Sequence, residues 1–143
     1  MEPSEEDPIT PLDEDECWAL LRSAEVGRLA VSVRGEPDIF PVNYVVDGRS
    51  VVFRTAEGAK LLELTINSRV AFEADGWDER FAWSVVIKGA ARRVEREVEI
   101  LRADTLPLRP WTATLKYNYV RIEPGEVTGR RLLRGEEPER YPV

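Results

Sequence analysis

Residues Phe40 to Leu64 read FPVNYVVDGRSVVFRTAEGAKLLEL. Asp47-Gly48 stands between two runs rich in Val, Phe and Tyr. An Asp-Gly pair so flanked signals a tight β-hairpin, because a type I′ turn needs two residues tolerant of positive φ. The stretch therefore predicts strand, turn, strand, a short loop, and a helix that opens at Ala59 with Lys60 in its first turn. Arg54 and Thr55 end the second strand, and Gly58 lets the backbone approach closely. A guanidinium, a hydroxyl, an ammonium and the unpaired N–H groups of a helix start are thus gathered in one place. These are the components of a phosphate site.

Toward the N-terminus, Leu29, Val31 and Val33 alternate with smaller or polar residues, so 28–34 reads as a half-buried strand that Gly35-Glu36 turns into the next one, beginning near Asp38. Asp13 and Glu16 have the spacing of an N-cap with its reciprocal glutamate, and Cys17, Leu20, Leu21 and Ala24 follow on one helical face. Residues 1–11 are acidic and proline-rich with few apolar groups, which predicts a flexible arm.

Toward the C-terminus, Asn67-Ser68 stops the central helix, and Val70, Phe72 and Ala74 alternate as a fourth strand. A long fifth strand, Ala82 to about Val94, carries Trp83, Val85, Ile87, Gly89 and Ala91 on one face, with Gly89 a bulge or a point of close approach. Residues 95–104 suit a short helix, and the proline-rich stretch after it an ordered loop. Leu115 to Glu123 reads as a sixth strand, Pro124-Gly125 as a turn, and Val127 to Leu133 as a seventh strand. The organisation expected is an arm (1–11), one folded domain (12–133) and a charged, mobile tail (134–143). Most connections are too short for parallel crossovers, which predicts a mainly β chain with peripheral α-helices, its antiparallel sheet closed or partly closed into a barrel.

Composition limits what such a barrel can do. The 143 residues contain no histidine and one cysteine. Histidine-based nucleophilic catalysis, histidine or cysteine-cluster metal ligation and an internal disulfide are therefore unavailable. A net charge of −7 argues against nucleic-acid binding. No run of about 18 apolar residues is present, and Met1 is followed by acidic residues rather than a signal sequence, so a cytoplasmic protein is expected.

The ordered set Phe40-Pro41-Val42-Asn43-Tyr44, Val52-Phe53-Arg54-Thr55, Gly58-Ala59-Lys60-Leu61, Asn67 to Glu73 and Trp83 to Gly89 resembles the pyridoxamine 5′-phosphate oxidase-like family of flavin-binding split barrels, from about Leu12 to Leu132. The resemblance implies an FMN-binding split antiparallel β-barrel that forms a homodimer, with each flavin in a groove between subunits. It implies that Thr55 and Lys60, supplemented by Arg54, hold the FMN phosphate, that Val42, Asn43 and Tyr44 line the flavin ring, and that Ser84 reaches the ring bound by the partner. It also shows departures. Ile39 stands where the oxidase proper has a flavin-binding arginine, Ala59 stands at a second basic position, and Val127 to Arg131 lacks the Trp and Arg-His elements used on the pyridoxal substrate. The chain is more similar to an actinobacterial-type branch in which some relatives use FMN, others a deazaflavin, and some bind ligands with no reaction known.

Plainer readings of the same residues stand beside these. Arg54 can be a solvated charge or a partner of Glu57 or Glu63, Lys60 a surface helix residue, and Asn43 an edge or bulge residue. Trp83 and Trp111 suit a core or subunit interface better than a stacking platform. With a flavin bound, no side chain need act as a catalytic nucleophile and no metal is needed, because the ring carries the redox chemistry. The expected activity is oxidation or reduction of a small molecule that the sequence does not identify; a deazaflavin-dependent reductase and a noncatalytic flavin or ligand carrier are the alternatives. A homodimer is also expected because Trp83, Val85, Val86 and Ile87 make the fifth strand apolar on both faces.

Overall fold

The structure, a computed structural model, describes residues 1–55, 63–64, 66–109 and 118–140. Its elements are β1 (Ile9–Pro11), α1 (Glu14–Arg22), β2 (Val26–Val33), β3 (Glu36–Asp47), β4 (Ser50–Thr55), β5 (Arg69–Trp77), β6 (Phe81–Arg93), α2 (Glu97–Asp104) and β7 (Asn118–Leu133). Antiparallel pairing runs β7–β4–β3–β2–β5–β6, and β6 pairs back onto β7, so six of the seven strands close on themselves while β1 adds to the far end of β7. In a six-stranded ring β3 and β6 are diametrically opposed. This is the expected antiparallel barrel. The helix expected from Ala59 lies mostly outside the described residues, although Glu63, Leu64 and Ile66 are helical.

Alternation along each strand explains the core. Leu29, Val31, Val42, Tyr44, Val51, Phe53, Phe72, Val85, Ile87, Val120 and Ile122 point inward and form one cluster. Helix α1 touches β3, β6 and β7, strands on opposite sides of the ring, so it lies across one mouth of the barrel. Its Cys17, Trp18 and Leu21 are fully buried there. Asp13 caps it by accepting from the Glu16 N–H at 2.8 Å, and burial pushes the Cys17 thiol pKa up, as befits a packing residue. A second cluster lies outside the barrel, where Val52, Tyr119 and Val94 are covered by Ala103 and Ile100 of α2 and by Leu106 and Leu108.

Both hairpin turns sit one residue away from their expected places. Asp47 pairs with Ser50, so the two-residue loop is Gly48-Arg49, and positive φ occurs at Gly48 (61°) but not at Arg49. That is the type II′ pattern, with glycine first, rather than type I′. The β2–β3 loop is Arg34-Gly35, with φ of 53° and 79°. Asp47 is thereby left in the ladder, where its carboxylate meets Arg102 at 2.7 Å and Arg121 at 3.0 Å. The two guanidiniums, the Arg102 hydrogen bond foremost, hold its pKa below the usual carboxylate value against the opposing effect of burial.

The largest correction concerns the C-terminal half. The sixth and seventh strands expected from sequence are one strand, β7, and Pro124-Gly125 does not turn the chain. Opposite it, Lys88 pairs with Glu126 and Gly89 with Pro124, leaving Gly125 as the extra residue of a bulge. A bulge accommodates proline, which has no N–H to give to the ladder. A Cβ on Gly89 would lie 2.1 Å from the Glu123 carbonyl oxygen, so glycine is required for this approach. At the ends, part of the arm expected to be flexible is strand β1, which pairs Ile9 to Pro11 with Leu132 to Arg130 and buries Thr10. Arg134, read as the start of a mobile tail, donates its N–H to the Arg80 carbonyl and its guanidinium to that of Asp78.

Candidate functional site

Strands β3 and β4 pair from Asp47–Ser50 to Tyr44–Phe53 and no further. Beyond that point β3 continues against β2 alone, from Asn43–Val26 to Glu36–Val33, while the end of β4 stays on β7 through Arg54–Tyr119 and Thr55–Asn118. The barrel is split there. Among the described residues no strand pairs with β3 N-terminal to Tyr44 on its β4 side. The Tyr44 N–H donates to the Glu25 carbonyl at 3.0 Å, and hydrogen-bond direction alternates along an antiparallel strand. The N–H and C=O of Asn43 therefore point away from β2, toward the split. Pro37 and Pro41 share that direction, and Asp38 Oδ1 caps the Ile39 N–H at 2.9 Å. These are devices that blunt an open strand edge.

The same alternation sorts the expected site residues by face. Val42 (5% exposed), Tyr44 (4%) and Thr55 (5%) point into the barrel. Asn43 and Arg54 are half-buried on the outer face, one step past the last β3–β4 pair. The Tyr44 side chain is a core group: its hydroxyl donates to the Leu21 carbonyl at 2.5 Å, its ring meets Phe72 edge-on, and burial pushes its pKa up. A ligand on the outer face can meet the backbone of Val42 and Tyr44 but not their side chains. Lys60 and Trp111 lie outside the described residues. Ser84 is half-buried on β6, paired with Asp75 and Arg130, and so lies across the barrel from Asn43. Trp83 is half-buried against the main core.

Two residues that the sequence did not single out complete the arrangement. Tyr119 lies directly opposite Arg54 in the β4–β7 register, on the same face. Its hydroxyl donates to Asp104 Oδ1 at 2.6 Å. Burial pushes the Tyr119 pKa up, the Asp104 carboxylate adds to the rise, and the neighbouring Arg54 guanidinium opposes it. The Nε of Arg54 is buried without a hydrogen-bond partner among the described residues. Nothing in the sequence marked Tyr119, since an aromatic in a strand reads first as core. A cavity of about 430 Å³ lies beside Val45, on the same outer face of β3 as Asn43, bounded by Arg22 at the end of α1, by Glu25, by Tyr44 to Val46, and by Pro107 and Arg109. Among the described residues no cluster of acidic, histidine or cysteine side chains could hold a metal, and no helix is long and apolar enough to cross a membrane.

Three features suit this face to an anionic planar molecule: the Nε of Arg54 lacks a partner among the described residues, a polar edge faces a gap in the sheet, and an open cavity lies alongside. Comparisons with known proteins bear on the family of the chain. The family model described as pyridoxamine 5′-phosphate oxidase matches residues 13–131. A crystal structure of a provisionally named pyridoxamine 5′-phosphate oxidase from Corynebacterium glutamicum is 48% identical and superposes with a TM-score of 0.86 over 94% of this chain and 100% of that one. The FAD binding protein from Mycobacterium smegmatis is 42% identical, with a TM-score of 0.78 over 87% and 99% of the two chains. The uncharacterized protein Rv3129 of Mycobacterium tuberculosis is 46% identical over 96 residues, 67% of this chain and 87% of its own.

Proposed function

Because the chain belongs to the pyridoxamine 5′-phosphate oxidase family, whose split-barrel fold it has, we propose that it is a cytoplasmic FMN-dependent oxidoreductase acting on a small molecule. The observation that carries this reading is the split itself: the β3–β4 ladder stops at Tyr44–Phe53, which leaves Asn43 and Arg54 together on one outer face. FMN fits what is there, since the buried Arg54 Nε lacks an acceptor among the described residues and a phosphate supplies several. Lys60 serves the phosphate with Arg54, as the family resemblance implies, whereas Thr55, which the resemblance also places there, points its side chain into the barrel and offers the outer face only its backbone. The backbone N–H and C=O of Asn43, which face the split, orient the ring with the Asn43 side chain, and Val42 and Tyr44 flank them with backbone surface alone.

When bound, the flavin supplies hydride or single-electron transfer. The chain binds, orients and shields. Tyr44 and Phe72 make a rigid floor behind β3, which keeps the backbone facing the ring fixed. The cavity beside Val45 and Val46 gives room for a substrate; at about 430 Å³ it falls within the ordinary range for small-molecule sites. Arg22, Glu25 and Arg109 at its edge offer a substrate polar groups of both signs. Ser84, on the far side of the barrel, reaches a ring only in a second copy of the chain, so the site is completed in a homodimer.

The absorbance spectrum of the purified protein, with mass analysis of whatever it releases on denaturation, tests the reading. A two-band flavin spectrum and the mass of FMN are expected. A chain that stays colourless through titration with FMN refutes it. FAD is the second reading, favoured by the 42% identity to the FAD binding protein of Mycobacterium smegmatis, and the released mass separates the two. A single deazaflavin band would support the deazaflavin-dependent reductase. A bound flavin that no electron donor reduces would support a noncatalytic carrier.

A further inference from the structure

An arginine used to grip an anion has to be held before the anion arrives, because each rotamer-rich side chain immobilised on binding costs affinity. Arg54 has such a support, and it comes from two elements outside the expected site. Tyr119 of β7 sits directly across from it and is 8% exposed within the cluster under α2. The Tyr119 hydroxyl donates its one proton to Asp104, at the C-terminal end of α2. That leaves the phenol oxygen lone pairs as acceptors for a neighbouring donor. The guanidinium is that neighbour, and its charge acts on the phenol. One end of the relay is therefore a carboxylate, the middle a hydroxyl oriented by it, and the other end a cation whose Nε remains unmatched among the described residues.

We propose that Tyr119 and Asp104 are positioning residues for Arg54: Asp104 orients the Tyr119 hydroxyl, and that hydroxyl fixes the guanidinium so that its remaining N–H groups face the cofactor phosphate. The inference rests on the reading above that Arg54 serves that phosphate. It assigns α2 a part in cofactor selection, since the helix supplies Asp104 and covers Tyr119. A purely structural role for Tyr119 would give the hydroxyl a bond but no influence on which flavin is bound.

FMN and riboflavin, which share a ring and differ in the phosphate, separate these cases. Both are titrated into the full chain and into Arg54→Ala, Tyr119→Phe, Asp104→Asn and the Arg54→Ala/Tyr119→Phe double variant, with thermal midpoints recorded. Arg54→Ala is expected to lower FMN affinity by roughly tenfold or more, as for a charge-assisted hydrogen bond, and to leave riboflavin unchanged. Tyr119→Phe and Asp104→Asn should each lower FMN affinity by about three- to tenfold with riboflavin unchanged, and Tyr119→Phe should add nothing once Arg54 is gone. Equal losses for both ligands, or a Tyr119→Phe loss that persists without Arg54, overturn the positioning role while the phosphate assignment of Arg54 survives. If Arg54→Ala leaves the FMN-to-riboflavin ratio unchanged, the phosphate assignment fails and the proposal with it.

Discussion

Asp47 shows how much one side chain can hold. Its carboxylate, 8% exposed, joins Arg121 (9%) from β7 and Arg102 (64%) from α2, while Arg121 also donates to Ser50 Oγ at 2.6 Å. Breaking a buried pair by removing one partner costs about 3–5 kcal/mol, because the other charge stays buried. Asp47→Asn should fall at the lower end, about 3 kcal/mol, since Ser50 still accepts from Arg121 and the exposed Arg102 contributes little. Urea unfolding would measure it. The same group has a pH signature. Its folded pKa lies below the ordinary value of 3.8, so its contribution is complete above that value and disappears as pH falls through the lower folded pKa. The wild type should lose part of its stability over that acid window, and Asp47→Asn should lose less; identical acid limbs would count against the pairing. The sequence placed Asp47 inside the turn, because Asp-Gly suits both type I′ and the step before a type II′ glycine. Only pairing with Ser50 distinguishes them.

At the scale of elements, periodic signals were readable and partner choice was not. The alternation of β2 and β6 predicted those strands to within about two residues at each end, the 3.6-residue spacing behind the Asp13 cap predicted the start of α1, and β5 runs about three residues past the last alternating position, Ala74. Continuity across Pro124-Gly125 was not readable, since that dipeptide marks a turn unless an opposing glycine lets the strands meet closely. The side of each strand that a site residue faces follows from register, which is why Tyr44 and Arg54, both expected at the flavin, have their side chains on opposite faces. Helix α2 carries a visible weakness. Arg96 occupies its N-cap position with no side-chain cap bond, next to the positive end of the helix. Arg96→Ser should stabilise the protein by about 0.5–1 kcal/mol, read as a raised thermal midpoint. A lowered midpoint would mean that Arg96 has a partner that outweighs its poor capping.

Over the whole molecule, the proposal that two chains share the site rests on the closed ring. Asn43 lies on β3 and Ser84 on β6, three strands apart in either direction round the barrel. Val86, beside Ser84 on the outer face of β6, is half-buried, and Ile39 on the outer stretch of β3 is 63% exposed. Val86→Asp should therefore lose the dimer and the flavin together. Sedimentation at micromolar concentration, with absorbance read alongside, provides the measurement. A wild-type monomer that binds flavin stoichiometrically would refute the shared site. The barrel was legible in the sequence as a count of short antiparallel strands. The order in which they close was not, because closure depends on β7 joining both β4 and β6, far apart in the chain.

That last strand also constrains how the protein is made. Strand β7 is the partner of β1, β4 and β6 at once, and it follows every one of them in the chain. A ribosome adding roughly 5–20 residues per second leaves the edges of β4 and β6 unpaired until residues 118–133 have left the exit tunnel. Nascent chains stalled before residue 118 should stay sensitive to protease and hold to chaperones, and those extended past 133 by a linker long enough to clear the tunnel should become resistant in one step.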